Sequence, residues 1–233
     1  VAAVLTRAEE EKGGLVIFRL DTPGGLVSSM RAITAAILES SVPVVVWVSP
    51  QGARAASAGA FILQAAHVAA MAPGTNVGAA HPVMASGQDA PDKEMKRKIT
   101  NDLAAQIRSL AQLRKRNADL AERMVTHSIS LTAEEALAEG AADLSAPDLE
   151  SLLLGVRGRR VLVRGEEMEL SPEIGTPVEI SMTSREKALQ FISSPDIAYL
   201  LLTAGILMIV LEVMSPGGFV LGTAGAVMRR RPR

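Results

Sequence analysis

The sequence of 233 residues has no cysteine, which excludes a disulfide-stabilised scaffold and a thiolate metal site. Its three histidines do not show the spacing of a metal motif such as HExxH, so we expect neither a metal nor a cofactor. The formal net charge is −1, so the charge balance does not indicate a nucleic-acid partner. Only six residues are aromatic although 48% are hydrophobic, and the core must therefore consist of closely packed Ala, Val, Leu and Ile.

Strand and helix patterns alternate at the start of the chain. Residues 2–11 are rich in Ala and Glu, which favours a helix. The apolar runs 15–20 and 44–48 are bounded by Gly, Pro and Ser and indicate buried strands. Residues 26–39 between them carry apolar side chains at helical spacing. This alternation predicts an α/β domain with a parallel sheet and right-handed crossovers.

The middle of the chain continues with a third short strand and two more helices. The strand is predicted near 67–71, and a long amphipathic helix over 95–113. The small and polar residues 84–92 between them indicate a mobile surface loop. Thr132 and Glu135 have the spacing of a capping box, which predicts a short helix ending near Gly140.

The last third of the chain has a different pattern. Residues 160–170 alternate around a Gly-Glu turn and predict a β-hairpin, and residues 197–211 lack any charge. A helix over 197–214 would be roughly 27 Å long, close to the thickness of the hydrocarbon core. We therefore divide the chain into an α/β domain (1–155), a hairpin and connector (156–195) and a transmembrane region (196–228).

Two segments have the residue types that acyl transfer requires. Such a reaction needs a nucleophile, a base that takes its proton, and donors aimed at the developing oxyanion. Residues 23–25 form a Pro-Gly-Gly turn with unobstructed backbone N–H groups, and Ser57 opens an apolar helix near free N–H groups. Taken alone, a serine at the start of a helix is more often a simple N-cap than a nucleophile.

Six segments follow one another along the chain: DTPGGL, RAASAGAFI, APGTNVGAAHPV, KITND, RN and LTAEEALAEGAAD. Together, in this order and at matching spacing, they resemble the NfeD family. The resemblance covers about residues 15–145 and continues into the membrane region. Members of that family are membrane-bound relatives of the ClpP and signal-peptide-peptidase A serine proteases and often act beside a stomatin homologue.

The resemblance implies a ClpP/crotonase-like fold and a Ser–Lys dyad. Ser57 matches the family's nucleophile, and Lys98, 41 positions later, matches the base. The backbone N–H groups of Gly25 and Ala58 match the oxyanion hole. Since only a neutral amine accepts a proton, the role requires Lys98 to turn into a desolvated cleft while its cationic neighbours stay in solvent.

His81 is the alternative base, because it lies near the position of the histidine in the Ser–His–Asp triad of ClpP. Imidazole needs little tuning to act near neutral pH. The aspartate of that triad is replaced here by Ser128, so Lys98 is the preferred base and His81 is expected to line the cleft. His67, which stands between alanines, is interpreted as a packed residue without a catalytic role.

The leading hypothesis is a serine endopeptidase that cleaves hydrophobic segments of membrane-associated proteins such as a stomatin homologue. The alternatives are a non-proteolytic membrane organiser for a stomatin-like partner and a crotonase-type acyl-CoA enzyme. The resemblance implies a multi-pass membrane protein with its protease domain outside the cytoplasm, and analogy suggests a homodimer. The chain begins within a helix pattern, so we expect the N-terminal part of the domain to be missing.

Overall fold

The computed structural model describes residues 1–11, 13–82, 93–171, 178–180, 188 and 195–214. The chain divides into two compact units, Val1–Thr176 and Pro177–Arg233. The helices of the first unit are α1 (Ala2–Glu10), α2 (Val27–Glu39), α3 (Ala58–Ala65), α4 (Lys93–Leu113), α5 (Ala118–Thr126), α6 (Ala133–Ala138) and α7 (Leu149–Val156). Its strands are β1 (Val16–Leu20), β2 (Val44–Val48), β3 (Arg54–Ala56), β4 (Val68–Met71), β5 (Asn76–Gly78), β6 (Ser130–Thr132), β7 (Leu144–Ser145), β8 (Arg160–Val163) and β9 (Glu166–Glu169).

A four-stranded sheet with the order β1-β2-β4-β7 forms the centre of the first unit. All its neighbouring strands are parallel, which confirms the predicted α/β architecture with crossover helices. Every residue of β2 is buried, since helices or the hairpin cover both faces of this central strand. Val44, Val46 and Val48 face the larger core, whereas Val45 and Trp47 face the smaller one.

A second sheet with the order β3-β5-β6 was not predicted. Its strands are three residues long, and the segments Arg-Ala-Ala and Asn-Val-Gly contain one β-branched residue, Val77, and no aromatic residue, so they lack the pattern that marks a strand in a sequence. Gly78 at the end of β5 has a φ of +135°, and a Cβ there would lie 2.2 Å from the Ile129 carbonyl oxygen. Glycine is therefore required for β5 to approach the segment that leads into β6.

The predicted hairpin forms from β8 and β9, which pair antiparallel. Leu170, directly after β9, is buried in the smaller core with Trp47 and Leu152. The Trp47 indole N–H donates to the Ala146 carbonyl over 3.0 Å and satisfies the polar group of this layer. The hairpin thus packs as part of the first unit.

The second unit contains α8 (Pro195–Met214), which covers the apolar run seen in the sequence. Among the residues that the structure describes, no helix combines the length and apolarity that crossing a membrane requires. Residues 215–228, like the predicted loop 84–92, lie outside the described residues. The transmembrane region 196–228 therefore stays a prediction.

Candidate active site

Ser57 lies between β3 and α3, at the N-cap position of the helix. Its φ is 52° and its ψ is −114°, a backbone conformation that costs a non-glycine residue about 1–3 kcal/mol. Its N–H donates to the Gly78 carbonyl over 2.9 Å, which attaches it to the second sheet. Its half-buried side chain forms no capping hydrogen bond, so the hydroxyl is not used to terminate the helix.

The Pro-Gly-Gly turn follows the carboxyl end of β1 and is attached to β3 by Thr22. The Thr22 N–H donates to the Arg54 carbonyl over 2.8 Å, and the Ala56 N–H donates to the Thr22 carbonyl over 3.1 Å. The Thr22 hydroxyl also accepts from the Gly24 N–H over 3.1 Å and lies 3.0 Å from the Gly24 carbonyl. Thr22 therefore holds the turn beside the strand that leads into Ser57, a role that sequence reasoning missed.

Gly24 is in direct contact with the candidate nucleophile. A Cβ at this position would lie 2.8 Å from the Ser57 Cβ and 3.3 Å from its Oγ. The φ of Gly24 is +134°, in a region that L side chains rarely adopt. The turn and the serine can approach this closely only because position 24 has no side chain.

We expect Gly24→Ala to lower the free energy of unfolding by at least about 2 kcal/mol, because it combines backbone strain with an overlap against Ser57. The measurement is a urea unfolding curve. Gly25→Ala is the matched control, since a Cβ at position 25 meets nothing within 4 Å. Equal unfolding midpoints for the two variants would contradict the contact.

The two candidate oxyanion donors have unused N–H groups. Among the described residues, neither the Gly25 N–H nor the Ala58 N–H donates a backbone hydrogen bond. Ala58 is the first residue of α3, where N–H groups have no intrahelical acceptor and the helix dipole is positive. This end of α3 is therefore suited to stabilising an anionic oxygen.

Lys98 lies in the first half of α4, and its side chain is exposed. We expected Lys98 to turn inward and Lys96 to face solvent, but Lys96 is the half-buried one of the two. The fully buried residues of α4 begin only at Leu103, beyond the turn that carries Lys98. Within the described ranges, no hydrogen bond joins Lys98 to Ser57.

An ion pair connects the Lys98 helix to the helix that follows the Gly-Gly turn. The Arg31 guanidinium on α2 donates to the Asp102 carboxylate on α4. Asp102 lies one turn after Lys98, and Arg31 lies one turn after Val27, the first residue of α2. The pair thereby joins the helix that carries Lys98 to the helix that follows the segment containing Gly25.

His81, the alternative base, follows the second sheet and is half-buried. Its Nδ1 lies 3.1 Å from the Val125 carbonyl oxygen, near the end of α5. A carbonyl only accepts, so Nδ1 carries a proton and donates it. Among the contacts of the described residues, no hydrogen bond joins His81 to Ser57.

The opposite end of α3 is held by a buried arginine. Arg116 donates to the carbonyls of Leu63, Gln64 and Ala66 over 2.9–3.2 Å and forms an ion pair of 2.6 Å with Asp143. These bonds satisfy carbonyls that the helix end leaves without partners. Sequence reasoning assigned Arg116 no role, and its only signal was the RN pair among the motifs.

His67 lies next to this arginine and is buried, as its setting between alanines indicated. Burial, followed by the positive charges of Arg114 and Arg116, lowers the pKa of His67 to about 3. An unfolded histidine binds a proton below a pKa of about 6.5. Because the native state binds that proton only at much lower pH, protonation favours the unfolded chain in the window between these values.

We expect the stability of the native state to be complete above about pH 6.5 and to fall as pH decreases towards 3. His67→Asn, which keeps an acceptor at the ring Nδ1 position, should flatten this acid dependence. The measurement is the free energy of unfolding between pH 7 and pH 4 in wild type and variant. His127→Asn, at an exposed histidine, is the control, and parallel curves for all three proteins would contradict the assignment.

The described residues contain no cluster of His, Asp and Glu arranged to hold a metal ion. Ser57, the candidate nucleophile, lies beside the turn that contains Gly25 and directly before Ala58, the first residue of α3. Among the described residues, neither candidate base, Lys98 or His81, forms a hydrogen bond with Ser57.

Two curated relatives match almost the whole chain. It is 40% identical over 229 residues to the membrane-bound protease PH1510 of Pyrococcus horikoshii, a match that covers 96% of the chain and 51% of that protein. It is 29% identical over 239 residues to the membrane protein NfeD1b of Bacillus subtilis, covering 96% of the chain and 49% of that protein. The chain therefore spans about half the length of these relatives.

Solved structures of a stomatin-specific membrane-bound protease, 1510-N, have the same fold. A lysine-to-alanine mutant in complex with a substrate peptide matches with a TM-score of 0.75 and 36% identity, covering 82% of this chain and 88% of that one. A serine-to-alanine mutant matches with a TM-score of 0.68 and 40% identity, covering 72% and 83%. The family model of the NfeD1b N-terminal domain matches residues 1–149. With both the fold and the sequence in agreement, the chain belongs to the NfeD1b N-terminal domain family.

Proposed function

We propose that this chain carries the protease domain of a membrane-bound serine endopeptidase that cleaves hydrophobic segments of a stomatin-like protein. The observation that carries the proposal is the contact of Gly24 with Ser57. It places a serine with a strained backbone, whose hydroxyl does not cap the helix, beside a Gly-Gly turn in which the Gly25 N–H donates no backbone hydrogen bond among the described residues. The relatives named as membrane-bound and stomatin-specific proteases support the substrate class. The homodimer and the extracytoplasmic orientation stay predictions.

In the proposed mechanism, the Ser57 Oγ attacks the scissile carbonyl carbon while Lys98 takes its proton. The N–H groups of Gly25 and Ala58 donate to the oxyanion of the tetrahedral intermediate. Lys98 then passes the proton to the leaving amine, and water hydrolyses the acyl-enzyme by the reverse sequence of transfers. The assignment of Lys98 is supported by spacing, since the serine and the lysine replaced in the 1510-N structures are also 41 positions apart.

Because Lys98 is exposed, the bound substrate has to remove its amine from water. A neutral amine is favoured by removal from water, so the bound segment has to cover the start of α4. Exposed apolar side chains stand next to both candidate site segments: Leu26 is 63% exposed directly after Gly25, and Met95 is 50% exposed one turn before Lys98. An apolar peptide laid against these side chains would desolvate the amine, which is why we propose a hydrophobic substrate segment.

We expect the purified protein to cleave a peptide from the apolar C-terminal segment of a stomatin-like protein, and Ser57→Ala to abolish cleavage. The products are identified by mass spectrometry. Ser28→Ala, at an exposed serine of α2, is the matched control and should retain wild-type activity. Cleavage by Ser57→Ala at the wild-type rate would contradict the proposal, and absence of cleavage by every protein would favour the membrane organiser.

A further inference from the structure

Lys98 stands between two carboxylates on its own helix. Glu94 precedes it and Asp102 follows it by four positions, the spacing at which side chains on a helix surface are neighbours. A lysine with an acid at either position can form an ion pair along the helix. Among the described residues, however, the exposed Lys98 side chain forms neither an ion pair nor a hydrogen bond. The partners of the two carboxylates give the reason.

An arginine pairs with each of these carboxylates. The Arg31 guanidinium on α2 pairs with the Asp102 carboxylate. On α4 itself, the Arg97 Nη2 lies 3.6 Å from the Glu94 carboxylate. A planar guanidinium offers a fork of N–H donors that matches the two oxygens of a carboxylate, whereas an ammonium acts as a point charge. The arginines therefore leave the Lys98 amine without a carboxylate in the part of the chain that the structure describes.

A lysine that serves as a general base requires this freedom. An ion pair with Asp102 would favour the charged form of the amine, and only the neutral form takes the proton of the Ser57 hydroxyl. The same pair would hold the Lys98 side chain along the surface of α4. The acid one turn after the base is thus a competitor for the amine unless another cation occupies it.

We propose that Arg31 is a positioning residue for the general base: by pairing with Asp102, it leaves the Lys98 amine free to act on the serine. This inference rests on the proposed function, since it takes Lys98 as the base. A purely structural pair would instead only tie α2 to α4. The two roles differ in the effect of Asp102, which inhibits the first kind of site when Arg31 is absent and stabilises the second.

The test is steady-state cleavage of the apolar peptide by the full chain and by three variants: Arg31→Met, Asp102→Asn and the two changes together. We expect Arg31→Met to lower kcat by about three- to tenfold with little change in KM, because Asp102 is then available to Lys98 in a site that the substrate covers. Asp102→Asn and the double variant should keep kcat within about twofold of wild type, since the competing carboxylate is gone.

Arg108→Met is the matched control. It breaks an ion pair of the same kind, between α4 and Glu122 on α5, without releasing an acid within one turn of Lys98. It should keep the kcat of wild type. Equal losses of kcat in Arg31→Met and Asp102→Asn, or no recovery in the double variant, would overturn the proposal and make the pair a structural link. Wild-type kcat in Arg31→Met would overturn it as well.

Failure of this inference differs from failure of the proposed function. Cleavage that persists in Ser57→Ala contradicts the serine protease itself. If Ser57→Ala is inactive while Lys98→Ala cleaves at the wild-type rate, the serine protease stands and the role of Arg31 is overturned. Urea unfolding midpoints of all variants confirm that kcat is compared between folded proteins.

Discussion

Lys98→Ala is expected to lower kcat/KM for an apolar peptide by about 10²–10⁴-fold, the contribution of a positioned general base. The loss should appear in kcat, because proton transfer occurs only in the transition state and not in substrate binding. The Lys98 side chain is exposed and forms no hydrogen bond among the described residues, so we expect its removal to leave the fold intact. The measurement is steady-state kinetics with the peptide used for wild type.

Two further variants distinguish Lys98 from the alternatives. Lys93→Ala removes an equally exposed lysine from the same helix and should change kcat/KM little. His81→Asn tests the other base and should lower kcat/KM less than about tenfold, because the aspartate that would complete a Ser–His–Asp triad is replaced by Ser128. A loss of the size expected for Lys98 in the His81 variant, with Lys98→Ala active, would replace the Ser–Lys dyad by a Ser–His pair.

Arg116→Met is expected to lower the free energy of unfolding by about 3–5 kcal/mol. It leaves the Asp143 carboxylate without its cation and removes the donors from the carbonyls at the end of α3. Because α3 carries Ser57 at its other end, the variant should also lose activity well below its unfolding temperature. The measurement is urea unfolding combined with a cleavage assay at low denaturant.

Arg7→Met provides the comparison, since Arg7 pairs with Glu11 on the exposed face of α1 and such pairs contribute about 0.3–0.5 kcal/mol. In the double variant Arg116→Met, Asp143→Leu, part of the loss should be recovered because no buried charge is left alone. If the Arg7 and Arg116 variants lost the same free energy of unfolding, the buried pair would contribute no more to stability than the exposed one.

The order of helices and strands in the first half of the chain could be predicted because it depends on neighbours along the sequence. Every residue of β2 is apolar, and the apolar residues of α2 recur at helical spacing, so each element shows one uninterrupted pattern in the sequence. The predicted capping box also formed, since Thr132 and Glu135 exchange hydrogen bonds over three residues. The second sheet could not be predicted, because strands of only three residues are too short to show an alternating pattern and depend on the close approach at Gly78.

The sequence by itself determined that Ser57 would open an apolar helix and that a Gly-Gly turn would follow a strand, although only Val16 of that strand is buried. Only the tertiary structure decided that these two segments touch, because the hydrogen bonds of Thr22 join residues about thirty positions apart. It also decided that Arg116 and His67 are buried together at the opposite end of the same helix. Local patterns follow from propensity and periodicity, whereas contacts between distant segments depend on sheet register and on which side chains are absent where backbones meet.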